Sequence, residues 1–232
     1  MNINITRSID RKRWLDALHA KGTPDERLAF SLDEAERLLK ASARPKAVYR
    51  LMQRADFHTE GVSIEKHLKG CEQAVVMAVT LGMEVDRLIR RTQVTDMAMA
   101  VIIDTGASVL VEQLADEFQE YIKARRKEDD EAMRHHGNGA SSACFFTASR
   151  FSPGYGDYPV TEQARILRYL DAQRQIGLNV TQDSLMVPRK SITAVMGVSG
   201  KAVSGSLATC KECILKDKCE LRKEGKFCGD KL

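Results

Sequence analysis

CEQAVVMAVTLG, residues 71–82, is short, apolar through its middle and closed by Gly82. That combination predicts a buried strand rather than a helix. Upstream, KAVYRLMQ (46–53) predicts a second strand, with Val48, Arg50 and Met52 alternating against Tyr49 and Leu51. Between them, 63–69 predicts a short helix ended by Gly70. Downstream, 84–91 is helical, and Thr95 or Asp96 then caps the longest element. Met97, Ala100, Val101, Asp104, Ser108, Val111, Ala115, Phe118 and Ile122 fall near one helical stripe, which predicts a helix to about Lys127. Gly106, in its middle, either costs about 1 kcal/mol or permits close packing. The charged and then Gly/Ser-rich segment 123–142, with His135 and His136, reads as a solvated loop.

The flanks complete the pattern. Ser8 caps a short helix through about Ala20. Thr23 caps a second, with Pro24 at its first position and Leu28, Leu32, Ala35, Leu38 and Leu39 at helical spacing, until Pro45 stops it. ACFFTASRF (143–151) predicts a strand; Thr161 caps a helix from Glu162 to about Gln175, with Gly177 after it; 184–200 is strand-like. Helices mixed with separated strands predict an α+β fold, a mixed or antiparallel sheet packed with helices, one of them long at about 95–127. Residues 1–205 are expected to form one domain, including a helical portion at 1–60, and 206–232 a Cys-rich tail.

Charged residues at 29% and hydrophobic ones at 43% are ordinary for a soluble globular chain. The net charge of +4 is spread among mixed signs, which gives no nucleic-acid footprint. The N-terminus MNINITRSIDRKRW has no apolar core, and runs such as Ala74–Val79 are too short to span a bilayer, so a cytoplasmic location without membrane contact is expected. Cys71 and Cys144 stand alone and read as buried thiols.

RFSPGYGDYP (150–159) is the chemically suggestive stretch. Pro153 fixes φ and Gly154 permits a positive one, which makes a stiff turn beside Arg150 and Tyr155. Arg150 offers a planar fork for a carboxylate, and Tyr155 a π face for a cation. The pair suits a ligand with a carboxylate at one end and a positive centre elsewhere; the same residues also suit a plain turn with a surface arginine.

With IGLNVTQDSLMVPRKSITAVMG (176–197) and EQARILRYLDAQ (162–173), this loop resembles the activation domain of cobalamin-dependent methionine synthase. The matching positions are Arg150, Gly154 and Tyr155, then Gly177, Thr181, Ser184, Met186, Pro188 and Ser191–Ile192–Thr193. Residues 61–112 look like the small free-standing members that serve synthases lacking a fused domain. The resemblance implies binding of S-adenosylmethionine and closure over a cobalamin held by a partner. When that cofactor is oxidised to its inactive cob(II) state, an electron from flavodoxin or a ferredoxin-like donor and a methyl group from S-adenosylmethionine restore methylcobalamin. Downhill methyl transfer pulls the uphill reduction forward, so the protein mainly has to position the donor.

By the same resemblance Arg150 grips the ligand carboxylate, Ser152 binds through its backbone beside Gly154, and Tyr155 is the tyrosine nearest the cobalt, the catalytic position. Asp116, in LADEFQEYI (114–122), takes the place of a ligand-binding glutamate and is shorter by one methylene. The fused form has Pro-Ala-Cys after the tyrosine, where this chain has Gly156, Asp157, Tyr158 and Pro159. It also has a ligand-contacting tyrosine beyond the last strand, and no tyrosine follows Tyr169 here.

Cys210, Cys213, Cys219 and Cys228 crowd the C-terminal tail. In a cytoplasmic chain such thiols suit a metal better than disulfides, and the spacing leaves zinc, an iron–sulfur cluster and free thiols open. Three functions follow: reactivation of a methionine synthase, activation of another corrinoid methyltransferase with electrons delivered through the tail, or docking on a corrinoid protein without catalysis.

Overall fold

The computed structural model describes residues 1, 8–20, 22–135, 144–147, 149–203, 205, 217–219 and 223. In chain order the elements are α1 (Arg11–Ala17), α2 (Glu26–Ser42), β1 (Lys46–Gln53), α3 (Val62–His67), β2 (Gln73–Thr80), α4 (Met83–Thr95), α5 (Met97–His135), β3 (Phe145–Phe146), α6 (Gln163–Leu170), α7 (Ala172–Ile176), β4 (Asn179–Val180), β5 (Met186–Val187) and β6 (Ser191–Ser199). The fold is α+β. Its main sheet runs β1-β2-β6-β3 and is antiparallel throughout, and β4 and β5 form a separate hairpin.

β2 explains why its sequence lacks polar alternation. Val75, Met77 and Val79 enter one core, and Ala74, Val76 and Ala78 enter another on the opposite face. A strand covered on both faces has no water-facing side to mark with polar residues. β6 follows the same rule: Ala194 and Met196 point one way and Val195 the other, with Met77 opposite Ala194 in register. The first face is covered by α1, α2, α4 and α5, through Trp14, Leu32, Leu39, Val85, Ile103, Leu110 and Phe118. The second is covered by α3, α6 and α7, through Ile64, Ile166, Leu170 and Ile176. Residues of the 1–60 portion thus share both cores with the rest of the chain.

Several sequence expectations shift. Asp10, not Ser8, caps α1, accepting from the Arg13 amide at 3.0 Å, and Asp25, not Thr23, caps α2, accepting from Leu28 at 2.7 Å. Pro24 therefore stands outside the helix. Both choices put a carboxylate at the positive helix end. At α5 the expectation of Asp96 holds, with its carboxylate 2.9 Å from the Met99 amide.

α5 continues to His135, well past Lys127. Its charged end is helical rather than the expected loop: Glu120–Lys123, Arg125–Glu128 and Arg125–Asp129 pair three or four residues apart, the spacing that supports an exposed helix. His135 closes this helix; His136 lies outside the described residues. By length and composition Met97–Asp129 could cross a bilayer, contrary to the sequence-based expectation about apolar runs, but its apolar side packs into the first core. The helix expected at 162–175 breaks at Asp171, whose φ of 47° is left-handed, giving α6 and α7. The expected 143–151 strand shrinks to β3. The Thr147 hydroxyl takes over a sheet position by accepting from the Gly197 amide at 3.1 Å, and among the described residues the chain next meets β6 where Phe151 bridges Val195. Cys71 is buried as expected, whereas Cys144 is only half-buried at the edge of the first core.

Candidate functional site

The 150–159 loop leaves the sheet at Phe151, which exchanges two 2.8 Å backbone bonds with Val195 of β6. It turns through Gly154 and Gly156, with φ of 96° and 59°, a region costly for any residue with a Cβ. The Gly154 amide donates to the Tyr158 carbonyl at 2.8 Å, and the Tyr155 amide to that of Ser152 at 3.3 Å. Tyr158 is fully buried in the second core, and burial pushes its phenol far up from its ordinary pKa. The turn between these anchors leaves Tyr155 42% exposed.

Arg150 does not point into solvent. Its Nη1 donates to Asp116 Oδ1 at 2.5 Å and its Nη2 to Glu112 Oε2 at 2.5 Å. Glu112 and Asp116 stand four apart on α5, so one helix face presents both carboxylates to one guanidinium. Asp116 Oδ2 also accepts from Arg13 Nη1 of α1 at 3.2 Å. The start of α1 is pinned beside it, since the Asp10 amide donates to the Gln113 side chain at 2.9 Å. The cluster thus alternates charge: Arg13, Asp116, Arg150, Glu112. Burial opposes ionisation of Asp116, but its bonds to Arg150 and then Arg13 outweigh this and hold its pKa below the ordinary value. Burial likewise opposes the Arg150 charge, and Asp116 and Glu112 outweigh it.

The sequence-predicted Arg150 and Asp116 are therefore in direct contact, and Ser152, Gly154 and Tyr155 share the loop that carries Arg150. Glu112 and Arg13 join them without being among the sequence-predicted residues. Glu112 was within reach, four residues before Asp116; nothing local marks Arg13. Of the Cys-tail metal expectation, Cys210, Cys213 and Cys228 lie outside the described residues, and Cys219 is half-buried. Among the described residues no group of three or more side chains could hold a metal ion.

A pH prediction follows from Asp116. Its native pKa is lowered, so its contribution to stability is complete above the unfolded carboxyl value of about 4 and is lost as pH falls through the lower native value. Thermal unfolding followed from pH 5 downwards should fall less steeply for Asp116→Asn than for the parent chain. Parallel curves for the two would contradict it.

A sequence model of the family "Vitamin B12 dependent methionine synthase, activation domain" matches residues 47–220. The chain belongs to this family. Among solved structures it is similar to the MetH reactivation domain bound to AdoHcy, at 18% identity and a TM-score of 0.61, over 94% of this chain and 82% of that one. At that identity the likeness speaks for the fold, and it extends the activation-domain architecture over most of the chain. No curated protein sequence matches. The family match begins at the second residue of β1, so α1, which carries Arg13, lies before it.

Proposed function

We propose that this activation-domain protein binds S-adenosylmethionine at Asp116, Arg150, Ser152, Gly154 and Tyr155, and supports reductive remethylation of a cobalamin carried by a partner methionine synthase. The observation that carries the reading is the Arg150 guanidinium, 2.5 Å from carboxylates of both Glu112 and Asp116, at the foot of the loop that exposes Tyr155.

The donor set suits this ligand chemically. Arg13, Arg150, Glu112 and Asp116 together are formally neutral, so a ligand with an ammonium and a carboxylate can enter charge for charge. The side chains of Glu112 and Asp116 are 51% and 45% exposed, that of Arg150 only 16%, so an incoming cation meets the carboxylates first. As they turn to the ligand, Arg150 is released to grip its carboxylate. Tyr155 offers its ring face to the remaining positive centre, a contact worth about 0.5–1 kcal/mol at an exposed site. The bound ligand supplies the methyl group, and an external donor of the flavodoxin or ferredoxin type supplies the electron. This chain's residues bind and orient, which for methyl transfer between two held groups is the main catalytic contribution.

Reconstitution tests the proposal. The protein is mixed with a cob(II)alamin-loaded methionine synthase lacking its own activation domain, a reductant and S-adenosylmethionine. The visible spectrum is expected to convert to that of methylcobalamin, dependent on both this chain and the methyl donor. Binding to the partner with no spectral conversion would leave docking as the role and end the catalytic reading.

A further inference from the structure

We infer that Asp157 is a positioning residue for the ligand site: by capping α3 from across the chain, it sets where the loop holds Tyr155. The inference deepens the proposed binding of S-adenosylmethionine and rests on that reading for its functional consequence.

A helix leaves its first amides without partners. α3 begins after Gly61, which has no side chain to cap it and a φ of 114°. The cap comes instead from the loop: Asp157 Oδ2 accepts from the Val62 amide at 2.9 Å and Oδ1 from the Ser63 amide at 2.7 Å. The Ser63 hydroxyl returns the contact at 3.5 Å from the Asp157 amide. This is the reciprocity of a capping box, made between segments 94 residues apart. The backbones themselves touch: a Cβ on Gly61 would lie 3.1 Å from the Tyr158 Cα and 3.2 Å from the Asp157 carbonyl oxygen.

The cap transmits to the site because of what surrounds Asp157 in the loop. The bond from the Tyr158 amide to the Tyr155 carbonyl, at 3.0 Å, spans Asp157, and that from the Gly154 amide to the Tyr158 carbonyl, at 2.8 Å, spans both residues. A shift of Asp157 therefore moves the turn that presents Tyr155. The other end of the loop cannot absorb the shift, since Phe151 is tied to β6 on both sides of its peptide unit. Burial opposes ionisation of Asp157, but the Ser63 and Val62 amide bonds outweigh it, so the capping carboxylate stays charged.

The test compares the parent chain with Asp157→Ala and Asp157→Asn, each carrying 3-fluorotyrosine, with the Tyr155 resonance assigned by Tyr155→Phe. Both carboxylate oxygens accept here, so asparagine keeps one of the two cap bonds and alanine neither. In the ligand-free protein, Asp157→Ala is expected to move or broaden the Tyr155 fluorine resonance, and Asp157→Asn to move it less, in the same direction. Calorimetric titration with S-adenosylmethionine is expected to show a Kd weaker by up to about ten-fold for Asp157→Ala at unchanged stoichiometry, the upper bound set by a lost cap, and an intermediate Kd for Asp157→Asn. A role in stability alone would lower the stoichiometry and leave Kd untouched, which overturns the inference, as does an unmoved Tyr155 resonance. If the parent chain itself fails to bind, the proposed function falls, while the ligand-free spectra still decide the role of Asp157 in the loop. Should Asp157→Ala not fold, Ser63→Ala removes only the returning hydroxyl: a smaller shift of the same resonance supports the inference, and none overturns it.

Discussion

Arg150→Ala is expected to abolish measurable S-adenosylmethionine binding, weakening Kd by about a hundred-fold or more. Two effects add. A ligand carboxylate loses a charge-assisted contact of about 1.5–3 kcal/mol. The two carboxylates that the guanidinium now bridges at 2.5 Å, Glu112 and Asp116, are also left facing each other across the vacated space, with Arg13 reaching only Asp116. Arg150→Lys keeps the charge but cannot make two parallel bonds to one carboxylate, and should fall between parent and alanine variant. Fold stability should fall by no more than about 1 kcal/mol, because both carboxylates are about half exposed and can rehydrate. Titration calorimetry beside thermal unfolding separates the two quantities. A Kd for Arg150→Ala within a few-fold of the parent value would remove Arg150 from the site.

The second large effect concerns stability and lies away from the ligand. A Cβ on Gly106 would sit 2.3 Å from Trp14 Cζ2 and 2.5 Å from Cε2. Trp14 is fully buried, and its indole N–H donates to the Ile102 carbonyl at 3.0 Å, so the ring has a fixed place against α5. Gly106→Val must push α1 off the long helix. Overpacking of this kind costs on the order of 3 kcal/mol, which lowers Tm by roughly 6–12 °C in a chain of this size. Gly106→Ala meets the same first contact but regains about 1 kcal/mol of helix propensity, and should be milder. Because α1 carries Arg13, Gly106→Val should also weaken ligand binding. An unchanged Tm would mean that Trp14 can move aside at little cost. Of the two readings open for Gly106 in the sequence, a tolerated weak point or a close-packing position, the structure selects the second.

Local signals in this chain were legible where one element decides its own form. The sequence places β1 at Lys46–Gln53, the bounds it takes, because alternation and Pro45 are both local. β2 was legible as buried because no polar residue interrupts Ala74–Val79. The start of α5 was legible because Asp96 caps it within three residues. Helix ends were less so: two caps moved to the aspartate nearer the first turn, and α5 outran its apolar stripe, with ion pairs along the stretch from Glu120 to Asp129.

The sequence by itself determined the α+β class, the strands β1 and β2, the long helix and a Pro-Gly turn beside Arg150 and Tyr155. Those follow from periodicity, turn chemistry and charge within a few residues of each other. Only the tertiary structure decided that Arg150 meets Asp116 across 34 residues, that Glu112 and Arg13 join them, that Trp14 needs the bare backbone of Gly106, and that Asp157 caps α3. Each of these contacts joins segments far apart in the chain. Burying apolar side chains on both faces of the sheet brings such segments together, and no local pattern in either partner records the other.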